Sequence, residues 1–228
     1  QQIGKESEDL AVAIVAAVRA AVGPKVDLLI EAHDRFTVGT AIRVGRRLEE
    51  YQPMWLETPV RSYDLAGHIE VARALRIPVV LGEAFSEVRP FADLLAYRVI
   101  DIVQPEPQKL GPSRARQACA IAAAYTALVA CHQAQSPFCT AMNAHIHASI
   151  PNFLIQENFD DSAEPWTWDV LAGVPRVEAD GSLTVPDRPG WGVELNEEEA
   201  QKHPYSEVHF LRLFEEGWET RRPPEPAA

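Results

Sequence analysis

Short apolar runs recur along the chain: VDLLIEAH (26–33), PMWLETP (53–59), PVVLGEA (78–84), VIDIVQPE (99–106), ALVACHQ (127–133) and FLIQENF (153–159). Each is rich in Val, Ile, Leu or Phe and only a few residues long, as a strand buried on both faces should be. The stretches between them change period. TAIRVGRRLEEY, DLAGHIEVARAL, VRPFADLLAY, PSRARQACAIAAAY and SPFCTAMNAHIHASI carry apolar residues at helical spacing, and a further helix is predicted at about 7–22, before the first run. Strand–helix alternation of this kind predicts an α/β fold built on a parallel sheet.

Each apolar run closes on a polar residue. Glu31, Glu57, Glu83, Glu106, His132 and Glu157 follow one another at steps of 26, 26, 23, 26 and 25 residues. A near-constant step of one strand–helix unit delivers one ionisable side chain per unit to the same end of the sheet. In a (β/α)8 barrel that end is the catalytic face. The rival is an open doubly wound sheet, which concentrates its site at a switch point and often carries a Gly-rich phosphate loop; neither GxGxxG nor a Walker sequence is present. Six strands are visible where a closed barrel needs eight, so the expectation is a partial TIM-like barrel joined in mid-repeat, with two strands lying upstream. Residues 1–160 form this partial barrel in the reading. Residues 161–228 form a C-terminal extension of loops, a short strand pair, a helix at 206–219 and a loose proline-rich tail at 221–228.

The strand ends carry the chemistry. In IEAHDRF, side chains alternate along a strand, so Glu31, His33 and Arg35 are expected on one face. Neighbouring strands lie about 4.8 Å apart, so Glu31, Glu57 and Glu83 can converge on one point. Without a cation they would repel and their pKa values would rise. Taken singly, each Glu would cap a helix or pair with an Arg. Three at matching positions point to a hard divalent ion, and Mg²⁺, with oxygen ligands and positions left for substrate, suits them. Glu106 beside His132 has the layout of a general base held in one tautomer by a carboxylate. His33, beyond the acidic cluster, is placed to donate a proton while His132 removes one. Glu157 either hydrogen-bonds a substrate carboxylate oxygen or forms a salt bridge.

The remaining candidates read as structural. His145 and His147 diverge on a helix; His68, His203 and His209 are expected at the surface; Trp166 and Trp168 are expected to pack. Lys109, just after Glu106, touches an anion or is solvated. Cys131 faces away from its neighbour His132 and is not expected to be a nucleophile.

Composition narrows the partner. The 228 residues are 46% hydrophobic and 24% charged, with a formal net charge of −12. That balance argues against nucleic acid or an anionic membrane as the main partner, and no apolar run is long enough to span a bilayer. Three cysteines without CxxC spacing fit a reduced, cytoplasmic setting. The start at Gln1, directly before helical sequence, leads to the expectation of a fragment or trimmed product.

Taken in order, IEAHDRF, WLETPV, LGEAF, DIVQPE, ACHQAQSP, PNFLIQE and VPDRPGWGVEL resemble the mandelate racemase/muconate lactonizing enzyme family of the enolase superfamily, and most of all its sugar-acid (galactonate-type) dehydratases. The resemblance runs from about residue 7 to about residue 217. It implies a (β/α)7β barrel preceded by an α+β capping domain, with that domain and the first two strands missing here. It also implies Mg²⁺ on Glu31, Glu57 and Glu83, His132 as base with Glu106 as its partner, His33 as general acid, and Glu157 against the enolate oxygen. The family chemistry removes the proton α to a carboxylate, with Mg²⁺ stabilising the ene-diolate. A dehydratase then expels the β-hydroxyl to give a 2-keto-3-deoxy acid from a sugar-acid substrate, commonly within an even-numbered homo-oligomer. Glu31 and Glu106 stand where the family usually has Asp, Thr58 where it has Glu, and Cys131 where Pro often precedes the base. A racemase or epimerase of a 2-hydroxy acid, and a non-catalytic metal-binding barrel fragment, are the alternative readings.

Overall fold

The computed structural model describes residues 3–160 and 164–205. The expected helix at 206–219 and tail at 221–228 lie outside the described residues.

Helix α1 (Lys5–Val22) leads into strand β1 (Leu29–Glu31), α2 (Val38–Leu48), β2 (Trp55–Glu57), α3 (Leu65–Ala74), β3 (Val79–Leu81), α4 (Arg89–Leu95), β4 (Ile102–Val103), the single turn α5 (Pro107–Leu110), α6 (Pro112–Ala124), β5 (Leu128–Val129) and α7 (Pro137–Ala148). Helices α1–α4, α6 and α7 fall where the 3.6-residue period places them, whereas α5 is one turn in a stretch expected to be loop. Local chemistry sets several starts: Thr37 caps α2 by accepting from the Thr40 amide at 3.4 Å, and Asp64 caps α3 by accepting from the Gly67 amide at 2.8 Å. Such caps contribute about 1 kcal/mol each.

All five strands are parallel and pair in chain order, β1-β2-β3-β4-β5. The sixth expected strand, 153–159, is reduced to one parallel bridge between Val129 and Phe153. Two backbone bonds hold it, Val129 N–H to Asn152 O at 2.8 Å and Leu154 N–H to Val129 O at 2.9 Å. Beyond them the side-chain Nε2 of Gln156 donates to the Thr140 carbonyl at 3.1 Å.

The two faces of the sheet are buried differently. Leu56, Val79, Leu81, Val103 and Val129 join a large apolar cluster with Val44, Val71, Phe91, Leu94, Ala118 and other helix residues. Trp55, Val80, Ile102 and Ala130 form a small cluster of their own, to which no helix among the described residues contributes. Among the described residues helices lie on one face only, with strands in sequential order, which is the arrangement of a barrel wall; a doubly wound sheet carries helices on both faces and reverses its strand order.

After α7 the chain continues through α8 (Thr167–Val170), β6 (Leu171–Ala172), β7 (Glu194–Leu195) and α9 (Glu197–Ala200), with β6 and β7 antiparallel. This is the expected strand pair. Trp191 packs against the large cluster, and its carbonyl lies 3.3 Å from His145 Nε2. His68 departs from expectation: it is fully buried, not at the surface. It belongs to the face of α3 that packs inward with Ile69 and Val71, and its Nδ1 lies 2.9 Å from the Asp64 carbonyl. His203 stacks on Trp166 at 4.1 Å, and His209 lies outside the described residues.

Candidate active site

The small-cluster face leads to the chemistry. Glu31 and Glu57 are register partners on β1 and β2, so pairing alone sets their carboxylates side by side. Glu57 shares its face with Trp55 two residues earlier, whose Nε1–H donates to Glu57 Oε2 at 3.0 Å.

Glu83 arrives by another route. Val80 faces the small cluster, so a continued strand would turn residue 83 to the opposite side. Gly82 breaks that count with φ +145°, a backbone few L-residues adopt. A Cβ there would meet the Gln104 carbonyl oxygen at 2.8 Å and the Phe91 ring at 2.9 Å. The result is that Glu31, Glu57 and Glu83 each offer a carboxylate oxygen lying within 4.8 Å of the others.

His132 closes the arc. Its Nε2 is 2.9 Å from Glu83 Oε2 and its Nδ1 is 2.5 Å from Glu106 Oε2. Glu106 is buried behind it and also caps α5 by accepting from the Gln108 amide at 3.2 Å. The peptide around the imidazole is pinned from several sides. Asn143 Nδ2 donates to the His132 carbonyl at 3.2 Å, and the Gln133 amide donates to Glu157 Oε2 at 2.6 Å. Cys131 N–H donates to His147 Nε2 at 3.2 Å, which leaves the His147 proton on Nδ1 for Gln156 Oε1 at 2.9 Å.

His33 is brought to the same place without strand alternation. Strand β1 ends at Glu31, and His33 and Asp34 take left-handed backbone with φ 46° and 63°. The expected common face for Glu31, His33 and Arg35 therefore does not exist as a strand face. His33 nevertheless lines one cavity of about 610 Å³ together with Glu31, Glu57, Glu83, His132 and Glu157, and Arg35 does not. The backbone N–H of His33 donates to Glu31 Oε1. Glu106 stands behind His132, so all seven residues singled out in the sequence meet at one end of the sheet.

The electrostatics follow from this crowding. Partial burial and the neighbouring Glu57 and Glu83 push the Glu31 carboxyl well above the usual carboxylate range. Glu31 is the most solvent-exposed of the three, so the like charges beside it are the firmer cause. Burial works against ionised Glu83, but hydrogen bonding and charge from His132, with His33 and Lys109 nearby, hold its carboxyl below the usual range. Burial would lower the His132 imidazolium, yet bonds to Glu106 and Glu83 outweigh it and push its pKa up to about 10. Burial raises the Glu157 carboxyl, opposed by the Gln133 amide and His132. Three carboxylates this close, at least one of them resisting ionisation, form an all-oxygen donor set that a hard divalent cation would relieve, so Mg²⁺ fits the residues present.

Several partners escape a reading of the sequence. Trp55 is recoverable from alternation, two residues before Glu57. Gln104, also on the cavity wall, is buried with its Oε1 lacking a hydrogen-bond partner among the described residues. Asn143 and His147 carry no sequence signal, because they reach the site from α7 across tertiary space. Cys131 is fully buried.

Fold and site together define a class, and comparison with known proteins agrees. Residues 2–200 match the family model described as enolase C-terminal domain-like, and the chain belongs to that family. It is similar to the D-gluconate/D-galactonate dehydratase of Picrophilus torridus, with 33% identity over 218 residues that cover 95% of this chain and 55% of that protein. It is also similar to the D-gluconate dehydratase of Thermoproteus tenax, 32% identical over 190 residues, 83% of this chain and 38% of that one. The crystal structure of a mandelate racemase/muconate lactonizing enzyme from Sulfitobacter sp. superposes with a TM-score of 0.84 at 35% identity, over 90% of this chain and 51% of that one. The chain thus spans about half the length of the relatives it matches. The match to half of a barrel enzyme accords with the partial wall of strands.

Proposed function

We propose that this chain carries the catalytic part of a Mg²⁺-dependent sugar-acid dehydratase, a hydro-lyase that converts an aldonate to a 2-keto-3-deoxy acid. The observation that carries the reading is the carboxylate triad, within 4.8 Å, with His132 2.9 Å from one member. The sugar-acid dehydratases among its relatives support the substrate class.

Glu31, Glu57 and Glu83 hold the ion in this reading. A Mg²⁺ bound there supplies positive charge where the substrate carboxylate becomes electron-rich on losing its α-proton. Glu106 holds Nδ1 of His132, which aims Nε2 into the cavity. Nε2 becomes a base once Glu83 no longer accepts its proton. It then takes the proton from Cα, and the electron pair forms the Cα–Cβ double bond as the Cβ–O bond breaks. His33 follows β1 and His132 follows β5, at opposite ends of the sheet order. Their separation suits division of labour, with His33 protonating the departing hydroxyl to give water. The enol product then becomes the keto acid. Glu157 supports developing negative charge by donating a hydrogen bond when protonated, which burial favours. The described residues after 163 belong to an extension that packs on this barrel portion through Trp191, and the setting is cytoplasmic sugar-acid catabolism.

Incubation with a panel of aldonates and Mg²⁺ in heavy water tests the reading. Keto-acid formation supports it; α-deuteration with inversion marks a racemase instead, and neither product marks a non-catalytic metal-binding chain.

A further inference from the structure

Resting on that reading, we infer that Trp55 is a positioning residue for the metal site: its indole N–H fixes the Glu57 carboxylate in place for the cation. Glu57 and Trp55 are only 7% and 3% exposed. A carboxylate so deeply placed loses hydration and needs compensating donors. The Trp55 Nε1–H supplies one at 3.0 Å. An indole N–H can donate and never accept, so it holds an acceptor oxygen and cannot swing to serve as a ligand itself. It occupies Oε2 and restricts the carboxylate rotamer, leaving the second oxygen for the cluster.

The indole is itself held. Its apolar body belongs to the small cluster with Val80, Ile102 and Ala130, on rigid strand positions. Trp55 also lines the cavity that contains the triad. Glu31 receives a comparable hold from the His33 backbone N–H, and Glu83 from His132. Each ligand candidate thus has its own donor, and the Trp55 one is supplied by a side chain that mutation can remove cleanly.

The test is Mg²⁺ affinity of the full chain, measured by titration calorimetry without substrate, with thermal unfolding recorded in parallel. Trp55→Phe keeps an aromatic ring and deletes the donor. The expected result is an affinity weaker by roughly 10–100-fold, the usual effect of losing a partner that orients a metal ligand. Ile102→Val loosens the same cluster without touching Glu57, and its affinity should stay at the wild-type value. Unchanged affinity in Trp55→Phe, or an equal loss in Ile102→Val, overturns the inference by assigning Trp55 to packing alone. Wild-type protein that takes up no Mg²⁺ overturns the metal reading itself, a result distinct from a variant that binds as well as wild type.

Discussion

The two faces of the five-stranded sheet are made from the same kinds of strand yet do opposite work. The outer face meets helices and closes a large apolar cluster in which Phe91, Leu94, Val103 and Ala118 are sealed from solvent. The inner face buries a small cluster around Trp55 and gives way, at the strand ends, to carboxylates and imidazoles. A side chain on the first face is worth what its burial contributes to stability. One on the second is worth what it does to charge and protons, often against stability, since acids crowded within 4.8 Å repel. The difference teaches that stability and chemistry are separated here by sheet face, set by strand parity for Glu31 and Glu57 and by local backbone turns for Glu83 and His33.

That separation can be broken from either side. The largest effect is expected at His132→Ala, which should abolish α-proton exchange in heavy water; exchange that persists would falsify the assignment of the base. On the outer face, Phe91→Ala removes a fully buried ring and should destabilise by about 3–5 kcal/mol in denaturant titration.

His147 joins the two regions and should show itself in pH dependence. Burial lowers its imidazole from 6.5 to about 4. An unfolded chain therefore takes up this proton at higher pH than the folded one. The contribution is complete above about pH 6.5 and is lost as pH falls towards 4, by up to roughly 3 kcal/mol. His147→Gln should flatten that part of the stability–pH curve, and an unchanged slope would refute the burial argument.

Gly82→Ala sits on the boundary. Its φ of +145° and the 2.8 Å approach to the Gln104 carbonyl predict a loss of about 1–3 kcal/mol. It should also weaken Mg²⁺ binding by displacing Glu83, which calorimetry would detect. The smallest effect is expected far from both faces. Arg89→Ala breaks an exposed pair with Asp93 and should shift stability by less than about 1 kcal/mol with no change in Mg²⁺ affinity.

Much of this architecture is legible in the order of residues. Helix α6 occupies Pro112–Ala124 within the predicted PSRARQACAIAAAY, and α3 occupies Leu65–Ala74 within DLAGHIEVARAL. Proline at the first turn and periodic apolar positions are local signals, and they suffice. The run at 153–159 promises more strand than the fold contains, because an apolar run reports burial and says nothing of how much ladder its neighbours offer. His68 is buried against expectation because one imidazole on a helix carries no sign of which face turns inward.

The sequence by itself determined the alternation of strand and helix and the near-constant step that returns Glu31, Glu57, Glu83, Glu106 and His132 to one end of the sheet. Periodicity is written along the chain and needs no knowledge of distant contacts. Only the tertiary structure decided that, among the described residues, one sheet face stays clear of helices, that Gly82 turns Glu83 against the strand count, and that Trp55 bonds Glu57, Asn143 the His132 carbonyl and His147 the Cys131 amide. Those outcomes depend on which surfaces meet and at what distance, and through-space distance is not a property of spacing in sequence.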